Sequence, residues 1–114
     1  MKYVLLFGET REFSKSLDSS QREALMAPVM KWFEKYGSRI RGGHQLQPDR
    51  TATTVRFNNG KPVVVDGPFI EGKETIGGYS EVEVDDLDQA LAMAKDWPTG
   101  GSVEVRPIIE REGR

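Results

Sequence analysis

Short apolar runs with a period of two, separated by two stretches with a helical period, set the pattern of this chain. It opens on Tyr3-Val4-Leu5-Leu6-Phe7, apolar and partly β-branched, the composition of a strand covered on both faces. The polar, unpatterned stretch from Gly8 to Asp18 predicts a surface loop. Ser20 and Glu23 have the spacing of a capping box, in which the serine oxygen accepts from the Glu23 amide and the glutamate reaches back. Beyond it Met26, Val29, Met30 and Phe33 recur at helical spacing, with Leu25 and Trp32 widening the stripe and Lys31, Glu34 and Lys35 opposite. Pro28 has no amide donor and predicts a kink or restart in this helix, and Gly37 predicts its end.

Arg39 to Leu46 reads as a second strand, in which Gly42-Gly43 signals a bulge or a close approach to the backbone. Asn59-Gly60 suits a two-residue type I′ turn, and centring a hairpin there pairs Val55 with Val64 and Thr54 with Val65. Asp66 to Lys73, built on Gly67, Pro68 and Gly72, predicts a loop. Ile76 to Val84 follows as a strand with Ser80, Val82 and Val84 on one face and Tyr79, Glu81 and Glu83 on the other. Asp86 and Gln89 cap a second helix whose expected stripe is Leu87, Ala90, Leu91 and Ala94, ended by Trp97-Pro98. Ser102 to Pro107 is the last strand, Val103 and Val105 alternating with Glu104 and Arg106.

The order is β-α-β, an inserted hairpin, then β-α-β. Two split βαβ units of this kind predict an α+β, ferredoxin-like sandwich: a four-stranded antiparallel sheet with both helices on one face. The other sheet face is left bare, with Tyr79, Glu81, Glu83, Glu104 and Arg106 upon it. A second copy facing the first is the expected cover, and the space between two such sheets is the expected ligand site.

Composition narrows the function. At 114 residues the chain suits one domain, placed at residues 1–109, with a charged tail at 110–114. It has no cysteine, which excludes disulfides, thiolate metal sites and a cysteine nucleophile and fits a reducing cytoplasm. A net charge of −2 lacks the basic excess of nucleic-acid binders, and the first apolar run is too short for a membrane span or a secretory segment. No metal-ligand spacing and no cofactor motif is present, and Gly77-Gly78 precedes a strand rather than the helix a phosphate cradle needs.

The run Val65 to Tyr79, VDGPFIEGKETIGGY, resembles the signature of the YCII-related family in its DGPF-motif branch. The likeness extends to MKYVLLF at the start, TATTVR in the hairpin, VDDLDQAL at the second helix and GSVEVRPI at the end. It implies a ferredoxin-like subunit of the dimeric α/β-barrel type, hence a homodimer. It also implies a link to transcriptional signalling through an alternative sigma factor, since members of this branch are often encoded beside one. The wider group is associated with a His–Asp pair. Asp66 matches the aspartate, but the histidine position, shortly after the first strand, is held here by Glu9, Thr10 and Arg11.

Several side chains carry candidate chemistry. Asp66 is either a general base or orienting carboxylate, or the former of an Asx-turn that shapes Gly67-Pro68. His44, the one histidine, is either an acid–base group beside a ligand or a packed or solvated ring. Tyr79 either donates to a ligand or packs across the dimer interface. Lys73 with Glu71 and Glu74 is either a charged rim at the cavity mouth, able to pair with an anionic ligand, or a solvated charge cluster; Phe69, Glu81, Glu104 and Arg106 are further ligand-binding candidates. Trp32 and Trp97 read as packing residues. Two functions fit: a small-molecule-binding or signalling module, and a cofactor-independent enzyme using Asp66 with His44 and Tyr79.

Overall fold

The computed structural model describes residues 1–69 and 72–111. β1 (Lys2–Thr10) alternates, with Tyr3, Leu5 and Phe7 buried and Lys2, Val4 and Leu6 half-buried on the opposite face. It pairs antiparallel with β5 (Glu74–Glu83) on one side and β6 (Ser102–Pro107) on the other. β2 (Ile40–Gln45) adds antiparallel to the far side of β5. The resulting order, β2-β5-β1-β6, is compatible with a ferredoxin-like α+β fold. Ser80, Val82 and Val84 are buried and Tyr79 is exposed, as the alternation in the strand predicts.

The stretch expected as a loop after the first strand is ordered instead. β1 runs on to Thr10, opposite Glu74, and a short helix α1 (Arg11–Ser16) follows at once. Thr10 Oγ1 accepts from the Phe13 amide at 3.1 Å, so a threonine cap starts a helix with no apolar stripe to announce it. α2 (Ser19–Tyr36) carries its capping box two residues earlier than expected, on Asp18 and Gln21 rather than Ser20 and Glu23. Asp18 Oδ1 accepts from the Gln21 amide at 2.8 Å and Gln21 Oε1 from the Asp18 amide at 2.9 Å. The helix passes through Pro28 without a break. Pro28 and Ala24, whose carbonyl loses its donor, both lie on the exposed side, so that carbonyl is not buried without a partner. Gly37 caps the helix in a right-handed conformation, and a single 3₁₀ turn, Gly37–Arg39, leads into β2.

The buried stripe of α2 is centred on Trp32, with Leu25, Val29, Phe33 and Tyr36 half-buried beside it, while Met26 and Met30 face outward. In α3 (Leu87–Lys95), capped by Asp86, Ala90 and Met93 are buried and Leu87, in the first turn, is exposed. One core results: Tyr3, Leu5, Phe7, Val82 and Val84 from the sheet meet Trp32, Ala90 and Met93 from the helices. Both long helices therefore cover the same sheet face. The Trp32 indole donates to the Met93 carbonyl at 2.9 Å, tying α2 to α3, and Phe7 stacks on Trp97 with ring centres 4.0 Å apart. Both tryptophans pack, as their spacing predicts.

β3 (Thr53–Asn58) and β4 (Lys61–Asp66) form a separate two-stranded sheet. Val55 lies opposite Val64 and Thr54 opposite Val65, and Asn59 and Gly60 have φ of 52° and 79°, as a type I′ turn requires.

Candidate functional site

Residues directly opposite one another in neighbouring strands share a sheet face, so the register lays out the uncovered side in rows. His44, Tyr79, Leu6 and Glu104 form one row, from β2 across to β6. Gly42, Glu81, Val4 and Arg106 form the next. Beyond it Lys2 lies opposite Glu83, whose carboxylate accepts from Arg41 Nε at 3.2 Å. A bulge shifts the β1–β5 register and sets Ile76 opposite Gly8, which brings Ile76 to this face beside Tyr79. The face thus has an apolar strip, Val4, Leu6 and Ile76, inside a set of charges. Sequence patterning misses that strip because the first strand reads as apolar throughout.

The His44 and Tyr79 rings meet edge to face, centroids 6.2 Å apart. Their closeness follows from Gly43 and Gly78. Gly43 has φ of +134°, and a side chain there would come within 2.7 Å of Ser80 Cα; one at Gly78 would come within 3.0 Å of the His44 carbonyl oxygen. Gly43 therefore marks a close approach by β5, while the bulge in β2 lies just before the glycine pair, between Ile40 and Gly42. Glu104 and Arg106 form an ion pair along their own strand, which partly neutralises both. Glu81 makes no ion pair among the described residues, so its carboxylate is the free acceptor of the face.

Asp66 is elsewhere. It ends β4 opposite Thr53, exposed, and no hydrogen bond joins it to His44 or Tyr79 within the described residues. Nor does its side chain form the turn. The Gly67 amide donates to the Ala52 carbonyl at 2.8 Å, and Thr54 Oγ1 donates to the Gly67 carbonyl at 2.6 Å. The loop is thus tied through its Gly67 carbonyl by Thr54 and not through the Asp66 carboxylate. Phe69 is exposed, its carbonyl accepting from Arg56 at 2.8 Å; Lys73 is exposed and Glu71 lies outside the described residues.

The root of the hairpin is held by Arg11, a residue with no sequence signal beyond its charge. Its amide donates to the Lys73 carbonyl at 2.9 Å, and its guanidinium bonds the Gly72 carbonyl and the Asp49 carboxylate. The Arg11 hydrogen bond holds the Asp49 carboxyl below the usual carboxylate range. Across the molecule Lys35 and Tyr36 donate to Asp96 at 2.6 and 2.7 Å and lower its pKa likewise. Among the described residues no group of three His, Cys, Asp or Glu side chains is placed to hold a metal ion. No helix among them is long and apolar enough to cross a membrane.

The model of the YCII-related domain matches residues 1–112, nearly the entire chain. The chain belongs to the YCII-related family. An uncharacterized protein of Rhizobium meliloti (strain 1021) is 35% identical over 103 residues, covering 87% of this chain and 82% of that protein. In this YCII-related chain the glycines that seat His44 beside Tyr79 lie in β2 and β5, and the loop that carries the family likeness is pinned by Arg11.

Proposed function

We propose that this YCII-related chain is a dimeric small-molecule-binding module whose ligand lies on the open sheet face, over His44 and Tyr79. The observation that carries this reading is the His44–Tyr79 pair, seated by the closely approached Gly43 and Gly78 on the sheet face opposite the helical core. The imidazole and phenol offer hydrogen-bond donors, and the Glu81 carboxylate, without an ion pair among the described residues, offers an acceptor one row away. Leu6 and Ile76 supply an apolar floor. Such a surface suits a small, partly planar molecule carrying both donor and acceptor groups. A second sheet placed over it would exclude water and strengthen each polar contact. A catalytic version would use His44 as the acid–base group and Tyr79 as a hydrogen-bond donor, the adjacency of the two rings being its support.

A thermal-shift screen of polar metabolites tests this. A true ligand at ten times its Kd stabilises the folded chain by about 1.4 kcal/mol, a rise of several degrees in Tm. His44→Ala and Tyr79→Phe are expected to weaken binding by at least tenfold. Ligands that stabilise wild type and both variants equally would remove the site from this face.

A further inference from the structure

The hairpin formed by β3 and β4 is unusual in what it leaves uncovered. Its two faces differ. Thr54 and Arg56 on one face bond the Gly67 and Phe69 carbonyls, so the chain folds its own loop back toward that side, and Val63 and Val65 there are 44% and 39% exposed. The other face carries Val55, Phe57 and Val64, which are 52%, 74% and 69% exposed, together with Pro62 and Asp66. An isolated two-stranded ribbon is at best marginally stable in water, and this one bares its more apolar side. The ribbon also stands away from the body. The radius of gyration is 16.1 Å, whereas a compact chain of this length is expected near ~13 Å.

We propose that the hairpin is an intersubunit arm. The Val55–Phe57–Val64 face of one copy lies on the Leu6–Ile76–Tyr79 end of the open sheet of a second copy, and Asp66, on the same face, is thereby presented to His44 of the partner subunit. This rests on the dimeric reading above and specifies how the site is completed. Size supports it. A six-residue ribbon two strands wide is roughly 20 Å by 10 Å, and four strands side by side span roughly 19 Å, so one arm crosses one sheet. Chemistry supports it too, since Tyr79 and Ile76 remain 37% and 43% exposed and form an apolar counterpart at one end of a charged face. By twofold symmetry each subunit gives one arm and receives one. Together these contacts bury on the order of 400 Å² per subunit, about half of what a stable interface needs, the opposed sheets supplying the rest. The site is then built from two chains, with His44 and Tyr79 from one and Asp66 from the other.

The absence of cysteine makes the test clean. Val64→Cys protein mixed with Ile76→Cys protein and treated with a short bismaleimide is expected to give the mixed cross-linked dimer in preference to either self-linked product. Val64→Cys linking to itself as readily would mean that two arms stack on each other, and would overturn the arrangement. In parallel, sedimentation of the Phe57→Asp/Val64→Asp variant is expected to show dimerisation weakened at least a hundredfold, with an unchanged circular dichroism spectrum, since neither side chain contributes to the subunit core. A variant that dimerises like wild type would refute the arm and leave the sheet-face dimer standing. Wild type that sediments as a monomer at every concentration would refute both.

Discussion

Gly43 is the residue on which the β2–β5 seam depends. Its φ of +134° is open to glycine and strained for any other residue, and a Cβ there would strike the Tyr79–Ser80 backbone. Gly43→Ala is expected to destabilise the chain by about 3 kcal/mol in urea unfolding and to separate the His44 and Tyr79 rings. Gly37→Ala is the contrast: right-handed and with nothing within 4 Å of an added Cβ, it is expected to be neutral or to stabilise by up to ~1 kcal/mol. Both glycines are visible in the sequence, and the pair Gly42-Gly43 announces a tight backbone. What approaches that backbone is not announced, because the neighbour is a strand distant in the chain. Asp66 teaches the converse. Its place in a specified loop draws two roles to it, yet within one chain the loop is tied by Thr54, and His44 and Tyr79 lie on another sheet.

Among the elements, those announced by a local chemical signal are readable, and those held by a distant partner are not. The hairpin register follows from Asn59-Gly60 alone, and β6 and the Asp86 cap of α3 from their own residues. The extension of β1, by contrast, exists because Glu74 and Thr75 stand opposite, and α1 exists because Thr10 caps it and Arg11 anchors it. The Met26–Met30 stripe misleads because the bulkiest side chain, Trp32, turns the face of α2 toward itself. The Arg11–Asp49 pair gives these elements a pH signature. Because Arg11 lowers the Asp49 pKa in the folded chain, the pair's contribution is fully present above the unfolded carboxyl value near ~4 and is lost as pH falls through the lower folded value. The Tm of Asp49→Asn should therefore lie below that of wild type at pH ~6, with the gap closing as pH drops below about 4. A gap that stays constant to the lowest pH would show that the charge on Asp49 plays no part.

At the scale of the molecule, the chain is a packed α+β body and a projecting ribbon joined through Arg11. The body has its own core, whereas among the described residues the ribbon is held by its ladder and by bonds at its root. Hydrogen exchange in dilute protein should therefore separate the two, and Arg11→Ala should speed exchange of the β3 and β4 amides at least tenfold while leaving β1 and β5 unchanged. Equal acceleration in both would show that they unfold as one unit. The four-stranded body is legible from the order of its strands and helices; the exposure of the ribbon is not, because it depends on where the chain carries it. The ribbon's two outer edges also differ. β4 carries Pro62, which removes a donor from its edge, and the outer strands of the larger sheet are interrupted by the bulge between Ile40 and Gly42 and by Pro107. β3 has no such guard, and its run Thr53-Thr54-Val55-Arg56-Phe57 offers a bare backbone flanked by greasy side chains. Among the described strands, β3 is thus the edge to which a strand of another chain would most readily add.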